Sequence, residues 1–597
     1  MINNITWNLK YDVVVVGFGG AGATAARFAA DSGARVLLLD SAPYGHEGGN
    51  TRYAAQLIGT GNDYNRLLKY YHNLTQPLSL PKEMAEVYVK GMSKMPEYVE
   101  KYLGVKPYSM KHNKDQLAKY SLPTAEYPEL EGSDSYDYTT VHAGMWDAAL
   151  WKLLRQKVIE RKSQIDVWLS SPAKHLICDT ENNTICGVEV ERENKKLNIL
   201  ASKGVILTCG GFECNKEMIQ NYLGASKLAP LGTLYNHGDG VRMSAEIGAK
   251  LWHMKNYESY GFMHGLEFYT PEGQRARLIT GWTQLYQGSI FVCSDDGTRY
   301  FREDEPNRHG HISDHGDWRV PFTHEKLYLI FDKAQLDDFK NNYIPYDNFD
   351  KKLIKADSIE KLGKEIEVSS TNLAKTVEEF NFFVKEKRDY AFNRDPKTMR
   401  AFGTGPYYAL RLSDTVLNTQ GGPERNEKSQ ILDYQNNPIP HLFGAGELGG
   451  ICANKYQGGG NLAECLIFGK IAGENAAKNN SISVQDIESD LYGINDLIAN
   501  EHDSFSLGKD QFIGASNKGI GGKLVVRVTY KDRTIKKIEI VENHESEDIA
   551  QKALKEMPER IVNSNSTDVD AVSGASTTSN AIKSAVNSAI DKAKDRQ

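Results

Sequence analysis

The chain has 597 residues, 40% hydrophobic and 25% charged, with 71 basic against 78 acidic side chains and a net charge of −7. At about 100 to 200 residues per domain, that length predicts more than one domain, and the acidic balance, without a basic stripe interleaved with aromatics, argues against nucleic acid as the main partner. No apolar run is long enough to span a bilayer, the polar segment Met1–Lys10 lacks the apolar core of a signal peptide, and the seven Cys form no CxxC pair; the expected location is the cytoplasm, with no metal site.

The first element is an apolar strand, Asp12-Val13-Val14-Val15-Val16, running into Gly17-Phe18-Gly19-Gly20-Ala21-Gly22 and then an Ala-rich helix to Ala30. This is a dinucleotide fingerprint: Gly17 for the turn, Gly19 for close approach of a pyrophosphate, Gly22 for helix–strand packing, and a helix N-terminus for the phosphates. A second strand, Arg35–Leu39, ends in Asp40, the acid expected on a ribose hydroxyl. Gly48-Gly49-Asn50-Thr51-Arg52 is a loop able to bring amides against a cofactor. Mixed helical patterning follows. Short strands at Val167–Leu169, Thr184–Val190 and Gly204–Thr208 lead to Cys209-Gly210-Gly211-Phe212, as though the chain rejoins the first sheet.

From about Ala245 to Arg400 the composition turns aromatic, His-rich and charged, the mark of an inserted cap. The chain returns through Asn418-Thr419-Gln420-Gly421-Gly422, a strand at His441–Phe443, Gly444-Ala445-Gly446-Glu447, and Gly458-Gly459-Gly460-Asn461 opening an apolar helix from Leu462 to Ala477. The polar stretch Asn479–Asp510, including Glu501-His502-Asp503-Ser504, reads as a linker with one short helix. A hairpin follows, Lys523–Tyr530 and Ile535–Val541 joined across Lys531-Asp532-Arg533, with helical patterns at Ile549–Lys555 and Ala581–Ala593. The expected fold is α/β (α+β): a Rossmann-like discontinuous nucleotide domain (1–245 and 401–478), an inserted capping domain (246–400), a linker (479–513), and a small C-terminal α+β domain (514–597).

With these motifs, residues 11–478 resemble the flavoprotein family of soluble fumarate reductases, urocanate reductases and 3-oxosteroid Δ1-dehydrogenases; Gly238-Asp239-Gly240 and Asp296–Phe301 add to the match. The resemblance implies a noncovalent FAD held by Gly17, Gly19, Gly20, Ala21, Gly22, Asp40, Gly49, Asn50, Thr51, Gly211, Asp239, Gly446, Glu447, Asn461 and Leu462. Residues 514–597 resemble the domain whose FMN is attached by a flavin transferase reading Asp-x-x-Ser/Thr-Gly-Ala-Ser/Thr. Asp570 to Ser576 fits that pattern. Ser576 is the expected acceptor, Thr577 a shifted alternative, and a plain N-cap before a helix starting near Asn580 the structural one.

Substrate separates the branches. Where fumarate reductases carry cations that clamp a dicarboxylate, this chain has Thr419-Gln420 and Lys455, and no Arg follows Asp332; Lys is a point charge where a bidentate fork is wanted. Tyr456 and Gly460 are similar instead to the steroid dehydrogenase pattern, in which a Tyr hydroxyl and a Gly amide hold a ketone oxygen and stabilise an enolate. In the cap, Arg308 or His309 is the expected proton donor. The implied function is an ene-reductase acting on a small-molecule α,β-unsaturated carbonyl compound, with electrons from a separate reductase or reduced flavin relayed through FMN. Three other readings remain: a fumarate, urocanate or aryl-acrylate reductase clamping its carboxylate with Lys455, Arg308 and Arg319; a 3-oxosteroid-type dehydrogenase; and a non-enzymatic electron carrier.

Overall fold

The computed structural model describes residues 5–594 apart from 120–121, 281, 315, 322–324, 343, 345–348, 484–486, 500–506, 509 and 547–548. The expected polar run Glu501–Ser504 lies outside the described residues. The first sheet has the order Gln430–Leu432, Pro438–Gly444, Lys195–Leu207, Leu9–Val16, Val36–Leu39, Ile165–Trp168. Along this path the neighbours are parallel except the antiparallel edge Gln430–Leu432, and off it Thr184–Arg192 pairs antiparallel with Lys195–Leu207 and Ala173–Asp179 antiparallel with Thr184–Arg192. Val13 to Val15 and Val36 to Leu39 are fully buried, as continuous apolar strands are when both faces of a parallel sheet are covered. One cover is the helix Gly20–Asp31, packed on the long helix Gly460–Lys478. The approach is close: a Cβ on Gly473 would lie 2.3 Å from Ala25 O, and one on Gly469 2.8 Å from Ala21 O.

The second sheet belongs to the cap. Its central strand, Tyr407–Val416, pairs with Tyr328–Asp332, Leu266–Phe268, Leu353–Ala356 and Ala229–Pro230. A boundary at residue 400 therefore cuts the cap: its sheet needs a strand from beyond 400 and an edge from before 245. The core of this sheet is aromatic, with Phe268 stacked on Trp282 at 5.8 Å and Phe339 beside it at 5.1 Å. A small third sheet, Ile58–Gly61, Tyr136–Thr140 and Tyr108–Ser109, adjoins the helices Tyr64–Thr75 and Lys82–Ser93 and carries a cluster of buried tyrosines.

The polar 479–513 stretch is more than a tether. Its short helix Asp496–Ala499 is fixed by Arg192, whose two Nη atoms reach Asp496 at 2.9 and 3.0 Å, and Leu497 is fully buried. The C-terminal domain is an antiparallel sheet of Gln511–Gly519, Gly522–Lys531 and Thr534–Glu542 covered by helices Gln551–Ser564 and Ser576–Lys594. That last helix starts at Ser576, four residues before the expected Asn580. Ser579 closes its first turn, accepting from Val572 N and donating to Ala575 O at 3.0 and 2.9 Å. Among the described residues no helix is long and apolar enough to cross a membrane.

Candidate active site

A cavity with an empty volume of about 1640 Å³, solvent at its mouth included, runs from the glycine turn of the first sheet to the underside of the cap. Thirteen of the residues expected on FAD line it together: Gly17, Gly19, Gly20, Ala21, Asp40, Gly49, Asn50, Thr51, Asp239, Gly446, Glu447, Asn461 and Leu462. Gly17 has φ +104, and a Cβ there would lie 2.4 Å from Thr208 O, so the turn requires glycine. Gly22 and Gly211 lie behind the wall. A Cβ on Gly22 would strike Gly17 O at 1.8 Å, and one on Gly211 would strike Thr419 Oγ1 at 2.1 Å. At Gly19 the nearest protein atom to a Cβ would be 3.7 Å away, so here the protein itself leaves room beside the backbone. No side chain caps the helix at Gly19, which suits a phosphate at that end. This cradle fits a dinucleotide.

Gly19→Val therefore yields folded protein without FAD, whereas Gly22→Val yields little folded protein. Flavin absorbance and circular dichroism on the two variants check this, and FAD retained by Gly19→Val contradicts it.

Asp40 closes the turn. Its Oδ2 accepts from Phe18 N and its Oδ1 from Ala42 N, both at 2.8 Å, and burial pushes its carboxyl up to about 6. Asn50 bridges two acids, the buried Glu213 and the half-buried Glu447, its Nδ2 donating to Glu213 Oε1 at 2.7 Å and Glu447 Oε2 at 2.9 Å. Asn236 adds a second amide on Glu213 at 2.7 Å. Burial, then the neighbouring Glu213, pushes Glu447 up to about 8; burial raises Glu213 too. A carboxyl raised by folding holds a proton the unfolded chain has already lost, so stability falls as pH rises from the unfolded value toward the folded one. The apoprotein's Tm is expected to fall between pH 5 and 8, and less steeply in Glu447→Gln; equal slopes in a thermal scan would contradict the assignment.

At the cap end, Tyr456, His309 and Glu126 meet. The His309 Nδ1 lies 2.7 Å from Glu126 Oε2, and the other Glu126 oxygen accepts from Gly458 N at 2.8 Å. The His309 ring stands edge-on to Tyr456 at 4.6 Å, with Tyr260 at 5.4 Å. His309 has φ +48, a left-handed conformation uncommon for a residue with a Cβ and frequent at functional sites. Tyr456 Oη accepts from Asn461 N at 3.2 Å, which leaves its proton to donate. Burial pushes the phenol well above its usual range, so it stays protonated.

Beneath this group the tyrosine cluster pins the loop. Tyr136 donates to Gly458 O, Tyr88 to Gly460 O at 2.9 Å, and Tyr70 to Gln457 Oε1 at 2.6 Å.

Two expected residues are placed otherwise. The Gly460 amide donates to Gln457 O at 3.1 Å and so does not face the cavity as a ketone donor. Arg308 forms a two-point pair with Glu129 at 2.5 and 3.2 Å and lies over the Tyr127 ring at 4.9 Å; it does not line the cavity. Lys455 lies over Trp318 at 5.5 Å, and Arg319 is also absent from the lining. Thr419 and Gln420 are fully buried, with Thr419 accepting from Phe212 N at 2.8 Å. Among the described residues lining the cavity there is no Arg and no Lys. The walls beneath the cap are Leu122, Tyr138, Trp146, Tyr260 and Leu278.

Ser576 is exposed at the start of its helix, while Thr578 donates to Glu545 and Ser579 is fully buried. Thr577 is half-buried. The acceptor motif thus presents Ser576 more openly than its neighbours, which fits attachment of FMN there.

The FAD binding domain family matches residues 12–462, and the FMN-binding domain family matches residues 519–591. The chain belongs to the FAD-binding flavoprotein family. This flavoprotein is 27% identical over 480 residues to the fumarate reductase (cytochrome) of Shewanella frigidimarina, covering 78% of this chain and 77% of that one. It is 22% identical over 517 residues to the vinyl phenol reductase of Lactiplantibacillus plantarum, covering 79% and 96%. Among solved structures, 3-ketosteroid Δ1-dehydrogenase from Sterolibacterium denitrificans shares the fold, with a TM-score of 0.60, 20% identity, and coverage of 78% of this chain and 99% of that one. The protein is a flavin-dependent oxidoreductase of the kind that acts on C=C groups.

Proposed function

We propose that this flavoprotein reduces the C=C bond of an uncharged α,β-unsaturated carbonyl compound, 3-oxosteroid-like enones among them. One observation carries the reading: Tyr456 and the His309–Glu126 pair converge on a cavity whose described lining residues include no Arg and no Lys. When bound, FAD supplies the hydride and FMN on Ser576, loaded by a flavin transferase and reduced by a separate reductase or free reduced flavin, supplies its electrons.

Tyr456 donates its O–H to the carbonyl oxygen, draws electron density from the β carbon, and stabilises the enolate oxygen once the hydride has arrived. His309 gives a proton to the α carbon, so that one hydride and one proton complete the reduction. Glu126 holds the ring by Nδ1, leaving Nε2 as the exchanging atom. Leu122, Tyr138, Trp146 and Leu278 receive the apolar body of the substrate and keep water from the enolate.

A carboxylate substrate would meet Glu126 with no Arg or Lys among the described lining residues to form a two-point clamp, and burying a poorly paired charge is costly. The vinyl phenol reductase relative carries a name that also points to an uncharged conjugated alkene. The appended FMN-binding domain supports reduction over dehydrogenation, since it provides an entry route for electrons. Anaerobic assays of FMN-loaded protein with reduced viologen test the proposal: cyclic enones and vinyl aromatics are reduced faster than fumarate or urocanate by at least about tenfold, the equivalent of 1.4 kcal/mol. Faster reduction of fumarate would place the protein in the carboxylate-reducing branch.

A further inference from the structure

The C-terminal domain is seated against the cavity at two points. At the first, the backbone around His544 fits into the loop before the helix Gly49–Tyr53. Tyr44 stands edge-on to the His544 ring at 4.5 Å, and a Cβ on Gly45 would lie 2.4 Å from His544 Nδ1. Arg52, buried in that helix, donates to Glu47 O at 3.2 Å and also to Gly45 O and His544 O. Gly49, Asn50 and Thr51 of the same helix line the cavity.

At the second point, the turn that presents Ser576 abuts the cap. Gly574 has φ +78, and a Cβ there would lie 1.9 Å from Arg277 Nη2 and 2.1 Å from its Cζ. The turn is closed by Ala575 N donating to Val572 O at 3.0 Å. Ser576 thus follows two residues after a backbone atom in contact with a guanidinium. Leu278, next to Arg277, lines the FAD cavity.

We propose that Arg277 is the docking cation of the flavinylated domain: it pairs with the phosphodiester formed at Ser576 and holds that flavin at the mouth of the FAD cavity. The chemistry is direct. A serine phosphodiester carries one negative charge, and Arg offers two parallel N–H donors where Lys would offer one point charge. The contact joins the cap to the cofactor turn, so attachment of FMN adds an ionic pair to an interface whose backbone and guanidinium already touch. The Arg52–His544 contact, a guanidinium donating to a backbone carbonyl, forms the second anchor. This inference rests on FMN being carried by Ser576.

The test uses the full chain, co-expressed with a flavin transferase, as the parent, Arg277→Gln, Arg277→Lys and Ser576→Ala. Intact mass comes first: an FMN adduct in the parent and both Arg277 variants, absent in Ser576→Ala, establishes the attachment, and its absence from the parent overturns both the attachment and the docking that depends on it. The 31P resonance of the phosphodiester, well separated from the FAD pyrophosphate, is then expected to shift between the parent and Arg277→Gln, and the parent signal to move toward the variant's as salt rises. Arg277→Lys falls between them. Stopped-flow transfer of electrons from FMN to FAD slows about tenfold in Arg277→Gln, the loss of one charge-assisted hydrogen bond, while FAD content is unchanged. A coincident 31P resonance and an unchanged transfer rate in a fully flavinylated Arg277→Gln protein would overturn the proposal.

Discussion

Tyr456→Phe lowers kcat for enone reduction about a hundred- to a thousandfold, the usual cost of removing a preorganised donor to a developing oxyanion, and leaves FAD in place. The substitution keeps the ring that His309 meets at 4.6 Å and removes only the hydroxyl. That hydroxyl is already an acceptor for Asn461 N, so its remaining proton has a defined direction. Since the Gly460 amide is engaged with Gln457 O, the donor to the oxygen in this proposal is the Tyr456 side chain. Single-turnover kinetics of the reduced enzyme, with FAD content measured by absorbance, checks the prediction, and a rate within a few-fold of the parent contradicts it.

His309→Gln lowers turnover about a hundred- to ten-thousandfold, the range for removing a positioned general acid. Glu126→Gln separates the two tasks of its parent residue. The amide oxygen still accepts from Gly458 N, and the carboxylate that faces His309 Nδ1 at 2.7 Å is gone. Its effect is smaller, about tenfold, with an increased solvent deuterium isotope effect because proton delivery becomes slower than hydride delivery. An unchanged isotope effect in Glu126→Gln would reduce that residue to a structural strut.

The parts of this site that could be read from the chain are those encoded by neighbours in sequence. Gly17 to Gly22 and Asp40 follow from a strand, a turn and a helix within one unit, and the antiparallel pairing of Gly522–Lys531 with Thr534–Glu542 follows from alternation and a short turn. The parts that could not be read are set by distant contacts. Glu126 meets His309 across 183 residues and Gly458 across 332, and nothing in Ala125-Glu126-Tyr127 announces it. Glu213 stood one residue beyond Gly210-Gly211-Phe212, a nearer miss, and would follow from asking which group fills the space that Gly211 leaves.

Arg308 and His309 are adjacent and both are candidates on paper, His being the more usual general acid; in the fold His309 has a left-handed backbone and lines the cavity, while the Arg308 guanidinium pairs with Glu129. The Gly460 amide misleads because the four-residue turn Gln457–Gly460 engages it. Tyr407–Val416 has an alternation that suits either sheet, so its place in the cap depends on partners up to 186 residues away, as with Ala229 against Thr415 near one end. The last helix starts early because Ser579 bonds back to Val572, where a Ser/Thr-rich run otherwise reads as irregular backbone.

The most direct measurement is a crystal structure of the oxidised, FAD-loaded protein with a cyclic enone bound. The account predicts the carbonyl oxygen about 2.6–3.2 Å from Tyr456 Oη, the α carbon toward His309, and the apolar body between Leu122, Trp146 and Leu278. An enone whose oxygen lies away from Tyr456, or a carboxylate ligand seated in the same cavity on Arg308, Lys455 or Arg319, would contradict it.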